Sequence, residues 1–109
     1  MIIRHSLPER GWTKVDRYVF THGKLSDGAK VLYGYLCGMR TGDSSFDTDI
    51  AEELNISQQT LTKRKKELKD VDLLLVDQIG SRVYVAYIGH TNLPASLVKK
   101  RWVKRERDF

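Results

Sequence analysis

The side chains best placed for chemistry lie in QQTLTKRKKELK, residues 58–69. Leu61 and Leu68 recur at helical spacing. If they face a core, the same spacing turns Gln59, Thr62, Lys63 and Lys66 outward, with Gln58 at the helix start. A glutamine amide can pair with both exposed groups on an adenine edge, and a lysine can reach guanine or a phosphate. In a helix lying in a DNA major groove, the residues near its N-terminal end meet the bases. Gln58, Gln59, Thr62 and Lys63 are therefore candidate base readers. Arg64, Lys65, Lys66 and Lys69 are candidate phosphate contacts, which position without specifying. Alone, such a charged run is more often the solvated face of a surface helix, so the reading depends on the surrounding elements.

A second helix is expected just before it. In FDTDIAEELNIS, Ile50, Ala51 and Leu54 recur at helical spacing, with Asp47 as the expected N-cap and Asp49 near the positive helix end. Asn55 ends this helix, asparagine being the non-glycine residue that best tolerates a left-handed turn. Ser57 caps the next helix by accepting a backbone N–H from Gln59 or Thr60. Ala51, Asn55 and Leu61 sit where a helix-turn-helix needs a small residue at the crossing, a turn residue and a buried aliphatic. Asn55 stands where glycine is more usual.

The chain has 109 residues, enough for one domain with a single core, and its 40% hydrophobic and 30% charged residues describe a globular protein. No apolar run approaches the roughly 20 residues of a membrane span. MIIRHSLPERG lacks the apolar core of a secretory signal, so the expectation is a cytoplasmic protein without membrane partners. Cys37 is the only cysteine, which excludes an internal disulfide, and a small apolar residue on a helix flank is its expected role. Nineteen Lys and Arg against 14 Asp and Glu give a formal charge of +5. The charge is segregated: Thr41–Ser57 holds five acids and no base, while basic residues crowd 58–69 and 99–107. There is no glycine-rich phosphate loop, and His5, His22 and His90 stand far apart without a motif. Neither catalysis, a metal nor a cofactor is expected.

Residues 1–24 read as an N-terminal arm with one short strand near Val15–Phe20. A helix is expected over Ser26–Arg40, capped by Ser26, with Leu25, Ala29, Leu32, Tyr35, Leu36 and Met39 as its core stripe. Spacing does not decide the role of Tyr33. Leu73–Val76 and Arg82–Ile88 read as strands around the Gly80-Ser81 turn, forming a β-hairpin. Gln78, Ser81 and Arg82 at its tip are candidate contacts to an adjacent minor groove or phosphate, or else solubilise a strand end. A final helix is expected from Pro94 to Arg105, with Ala95, Val98 and Trp102 on one side and Leu97 apart. Its basic residues Lys99, Lys100, Arg101, Lys104 and Arg105, with Arg107 beyond, either grip phosphates or solvate a dimerising helix. The expected class is α+β: a winged helix-turn-helix with three core helices, a C-terminal β-hairpin wing and an additional C-terminal helix. Residues 25–92 form the domain and 93–109 a basic helix or tail.

LSDGAKVLYGYL, then DIAEELNISQQTLTKRKKELKDVDLLLV and RVYVAYIG, resemble winged helix-turn-helix proteins of Gram-positive plasmids, phages and integrative or conjugative elements, including the N-terminal domains of replication initiators. The resemblance covers roughly residues 25–90. It implies double-stranded DNA binding, often as a homodimer. Full initiators carry a further domain where this chain ends, so the expectation is a stand-alone accessory protein. It would bind an origin of transfer (conjugation), replication or partition beside a relaxase, replication or partition protein, or act in transcription regulation. The competing reading is a protein-interaction domain of the same fold, with its basic faces merely solvating.

Overall fold

The computed structural model describes residues 15–39, 46–78, 81, 84–90 and 93–100. In chain order these form α1 (Arg17–Phe20), α2 (Asp27–Cys37), α3 (Asp47–Glu53), α4 (Gln58–Asp70), β1 (Leu74–Gln78) and β2 (Tyr84–Ile88). Residues 95–100 are again helical. The architecture is mixed α+β, a set of helices followed by a two-stranded antiparallel hairpin. No helix among the described residues is long and apolar enough to cross a membrane.

Residues 17–20, expected as a strand, form one helical turn. The Asp16 carboxylate accepts the Tyr18 N–H at 2.9 Å and starts the turn. Val19 then drops fully into the core, while Tyr18 and Phe20 stay exposed. Valine, tyrosine and phenylalanine give the segment a strand-like composition, but a local cap and one buried side chain decide its conformation.

Ser26 caps α2 as expected, its Oγ accepting the Ala29 N–H at 3.2 Å. The core face of α2 centres on Ala29, Leu32 and Tyr33. Tyr35, Leu36 and Met39, expected in the core stripe, are half-buried at its edge. Tyr33 is fully buried because its hydroxyl has a partner: it donates to the Gly89 carbonyl at 2.7 Å, which removes the penalty of burying a phenol. Helix α2 ends at Cys37, earlier than expected: Gly38 is its C-cap and Met39 is already outside the helix, while Arg40 lies outside the described residues.

Phe46, not Asp47, occupies the N-cap position of α3, and no side chain caps that end. Asp47 stands first in the helix, and its carboxylate pairs with Lys65 Nζ at 2.9 Å. Both α3 and α4 close with the same double turn. Asn55 (φ 56°) follows α3, with Ile56 N–H donating to Ala51 O and Asn55 N–H to Glu52 O. Asp72 (φ 60°) follows α4, with Leu73 N–H donating to Leu68 O and Asp72 N–H to Lys69 O. This is the Schellman pattern, carried here by two residues that tolerate the left-handed conformation in place of glycine. Ser57 caps α4, accepting the Thr60 N–H at 3.1 Å.

Helix α4 packs against α2, α3 and β1, so it lies at the centre of the fold. In the hairpin Leu74 faces Ile88 and Gln78 faces Tyr84. Leu74 is buried, and Val76 and Ile88 join it against the helical core. Gly89 leaves the hairpin where three segments meet. Its N–H donates to Leu73 O, and a Cβ there would lie 2.4 Å from Ala95 N and 2.8 Å from Asp72 O. Ala95 N–H donates to Asp72 O at 3.1 Å, and Ser96 Oγ to Asp72 Oδ2 at 3.2 Å. The final helix thus starts on the turn that ends α4.

Candidate nucleic-acid interface

Two buried leucines set which side of α4 faces water. Leu61 is 1% and Leu68 0% exposed, and both belong to the core. Helical periodicity then places Gln58, Gln59, Thr62, Lys63, Lys66 and Lys69 outside, and all six are exposed. The Thr62 hydroxyl donates back to Gln58 O at 2.9 Å, which leaves its lone pairs as acceptors toward a ligand.

The remaining cations of the run are placed differently. Arg64 and Lys65 are half-buried on the two flanks of the leucine ridge. Lys65 reaches α3 through its ion pair with Asp47. The guanidinium of Arg64 lies over the first turn of α2, close enough that a Cβ on Gly28 would sit 2.3 Å from its Nε. Glu67 is on the same flank, one oxygen accepting Ser26 N–H at 2.9 Å and the other Ser26 Oγ–H at 2.8 Å. Of the four expected phosphate contacts, Lys66 and Lys69 are therefore on the open face, while Arg64 and Lys65 touch neighbouring helices.

Asp70 adds to this face a residue that the candidate set lacks. It is exposed and follows Gln59, Lys63 and Lys66 at steps of four, three and four residues along one strip. The strip is amide and cation at its N-terminal end and acid at its C-terminal end. A polyanion laid along it is attracted at the first two turns and repelled at the last. The spacing alone could have revealed this.

At the turn end of the hairpin, Gln78 and Ser81 are exposed, and the Gln78 amide donates to Ser81 O at 3.3 Å. Arg82 lies outside the described residues. Opposite Gln78 stands Tyr84, 62% exposed and not among the candidate residues named from the sequence. Strand alternation puts Tyr84 on the same side as Ile88, the side that meets the helical core. Its position as the first aromatic after the turn is the available signal.

In the C-terminal cluster, Lys99 Nζ pairs with Asp77 Oδ2 of β1 at 2.9 Å, and Lys100 is exposed. Arg101, Trp102, Lys104, Arg105 and Arg107 lie outside the described residues. Val98 is half-buried and Leu97 exposed, as the expected one-sided pattern requires. His22 is bonded to backbone, its Nδ1 accepting the Lys24 N–H at 3.1 Å. His90 stands with Nδ1 3.2 Å from the Tyr33 hydroxyl. Because that hydroxyl gives its proton to Gly89 O, the imidazole Nδ1 is the donor to the phenol oxygen.

No protein-family model, curated protein or solved structure matches this chain.

Proposed function

We propose that this chain is a winged helix-turn-helix protein that binds double-stranded DNA in a sequence-specific way, without performing chemistry on it. In this reading α3 and α4 are the helix-turn-helix, α4 enters the major groove, and the β1–β2 hairpin is the wing. One observation carries it: α4 buries Leu61 and Leu68 while presenting Gln58, Gln59, Thr62, Lys63 and Lys66 together to solvent. Amides and a hydroxyl supply base recognition, and the lysines supply phosphate attraction.

The acid at Asp70 and the capped start at Ser57 favour an approach in which the N-terminal half of α4 meets the groove. Gln58, Gln59, Thr62 and Lys63 are then the base-facing set, with Lys66 and Lys69 on phosphates. Binding as a homodimer would place two such helices in successive major grooves, about 34 Å apart on repeated or palindromic half-sites. The resemblance noted above supports an accessory role on a mobile element, at an origin of transfer, replication or partition or at a promoter.

Enrichment of duplexes from a random-sequence pool, followed by titration at several salt concentrations, tests this directly. If about three or four phosphates are neutralised per protomer, affinity falls about 40- to 150-fold across a fourfold rise in salt. An enriched sequence with repeated half-sites is the expected result. No enrichment, together with salt-independent behaviour, would instead favour the protein-interaction reading.

A further inference from the structure

A helix capping box needs a Ser or Thr at the N-cap and a Glu or Gln three residues on, whose side chain reaches back to the N-cap N–H. In α2 the N-cap is Ser26, but the third position is Ala29, which is buried and has no acceptor to offer. The missing carboxylate arrives from another helix. Glu67 of α4 accepts Ser26 N–H at 2.9 Å and Ser26 Oγ–H at 2.8 Å, while Ser26 Oγ accepts Ala29 N–H at 3.2 Å. We infer that Glu67 is a positioning residue for the DNA-facing side of α4: it completes the α2 cap in trans and thereby fixes the rotation of α4 about its own axis.

The geometry supports this at two successive turns of α4. Glu67 grips Ser26, and one turn earlier the Arg64 guanidinium sits against Gly28, in the space that a side chain at position 28 would fill. Both residues are on the flank of α4 that faces α2. Leucines 61 and 68 hold α4 against the core, but aliphatic contacts resist a small roll of the helix weakly. Two hydrogen bonds from one carboxylate to a single serine are directional and lost on such a roll. A roll would carry Gln59 and Lys63 sideways relative to the rest of the domain, which is what sets their register on a duplex. The inference rests on the DNA reading of α4 given above and adds a residue that touches no DNA.

The test uses the duplex enriched by the wild-type protein and a scrambled duplex of the same composition. Glu67→Ala removes both the charge and the grip. Glu67→Gln removes the same charge but keeps an acceptor for Ser26 N–H and a polar group for Ser26 Oγ. Glu67→Asp keeps the charge on a stem one methylene too short. Loss of the carboxylate charge strengthens scrambled-duplex binding equally in the Ala and Gln variants. The ratio of specific to scrambled affinity falls about tenfold in the Ala and Asp variants, the order of one lost base contact, and stays within about threefold of wild type in Gln. Equal ratios in all three variants overturn the inference. A thermal-unfolding cycle of Glu67→Ala with Ser26→Ala, run without DNA, should give a double-variant loss smaller than the sum of the single losses. Strict additivity overturns the trans cap whatever the DNA result. A wild-type protein that enriches no duplex overturns the DNA reading of α4, and the unfolding cycle then decides the cap alone.

Discussion

Residues in the basic run share a charge but not a job, and substitution separates them. Gln59→Ala or Lys63→Ala removes a group from the open strip of α4 and should cost about 1–3 kcal/mol on the enriched duplex, with much less loss on a scrambled one. Lys66→Ala should weaken both duplexes alike and lower the salt slope by about one unit. Gel-shift titrations over a salt series read both effects. Cys37 and Tyr33 respond to a different variable. Burial pushes the Cys37 thiol above its ordinary pKa, and burial first, then the neighbouring Cys37, pushes the Tyr33 phenol up as well. Both raised values mean that the folded state holds its protons more tightly than the unfolded chain. Their contribution to stability is therefore complete below the unfolded thiol value of about 8.5 and shrinks as pH rises beyond it. Urea midpoints measured from pH 7 to 10 should fall on the alkaline side, and Cys37→Ala should flatten part of that fall. The outward positions of α4 were legible in the sequence because Leu61 and Leu68 fix a helical phase. The division of the cations was not, since Arg64 and Lys65 take their places from Gly28 and Asp47, residues on other helices.

At the level of elements, the two left-handed turns carry the crossings. Asn55 pays a conformational cost that Ala would pay more heavily, and glycine not at all. Asn55→Ala should destabilise by about 1 kcal/mol and Asn55→Gly should be neutral or stabilising, read from thermal or urea unfolding. Asn55 and Ser57 could be read in advance because capping chemistry is local. The equivalent turn at Asp72 is not legible in advance, since aspartate between α4 and a strand carries no unique signature. Residue type points to Asp47 as the cap of α3, yet Phe46 holds that position and the Asp47 carboxylate is drawn to Lys65. Strand and helix share composition over Val15–Phe20, and only Asp16 and the burial of Val19 choose between them. Local rules fail where a partner from elsewhere in the chain competes for the same side chain.

For the molecule as a whole, the junction at Gly89 joins α2, the hairpin and the final helix. Tyr33 reaches it from α2, and the backbones of Asp72 and Ala95 lie too close for a side chain at position 89. Gly89→Ala should destabilise strongly, by about 2 kcal/mol or more, because backbone rather than a flexible side chain would have to move. Tyr33→Phe keeps the packing but orphans a buried carbonyl, a loss of about 1–3 kcal/mol. Calorimetry of both variants checks the order of the two effects. None of this is visible in the sequence, where Tyr33 stands off the apolar stripe and no local signal singles out Gly89.

The same junction ties together amides that are far apart along the chain. Gly89 N–H is held by Leu73 O, Ala95 N–H by Asp72 O, and His90 N–H by Leu93 O. Their solvent exchange should then be synchronous: in deuterium these three protons disappear with one shared opening rate, and a substitution at Tyr33 accelerates all of them together.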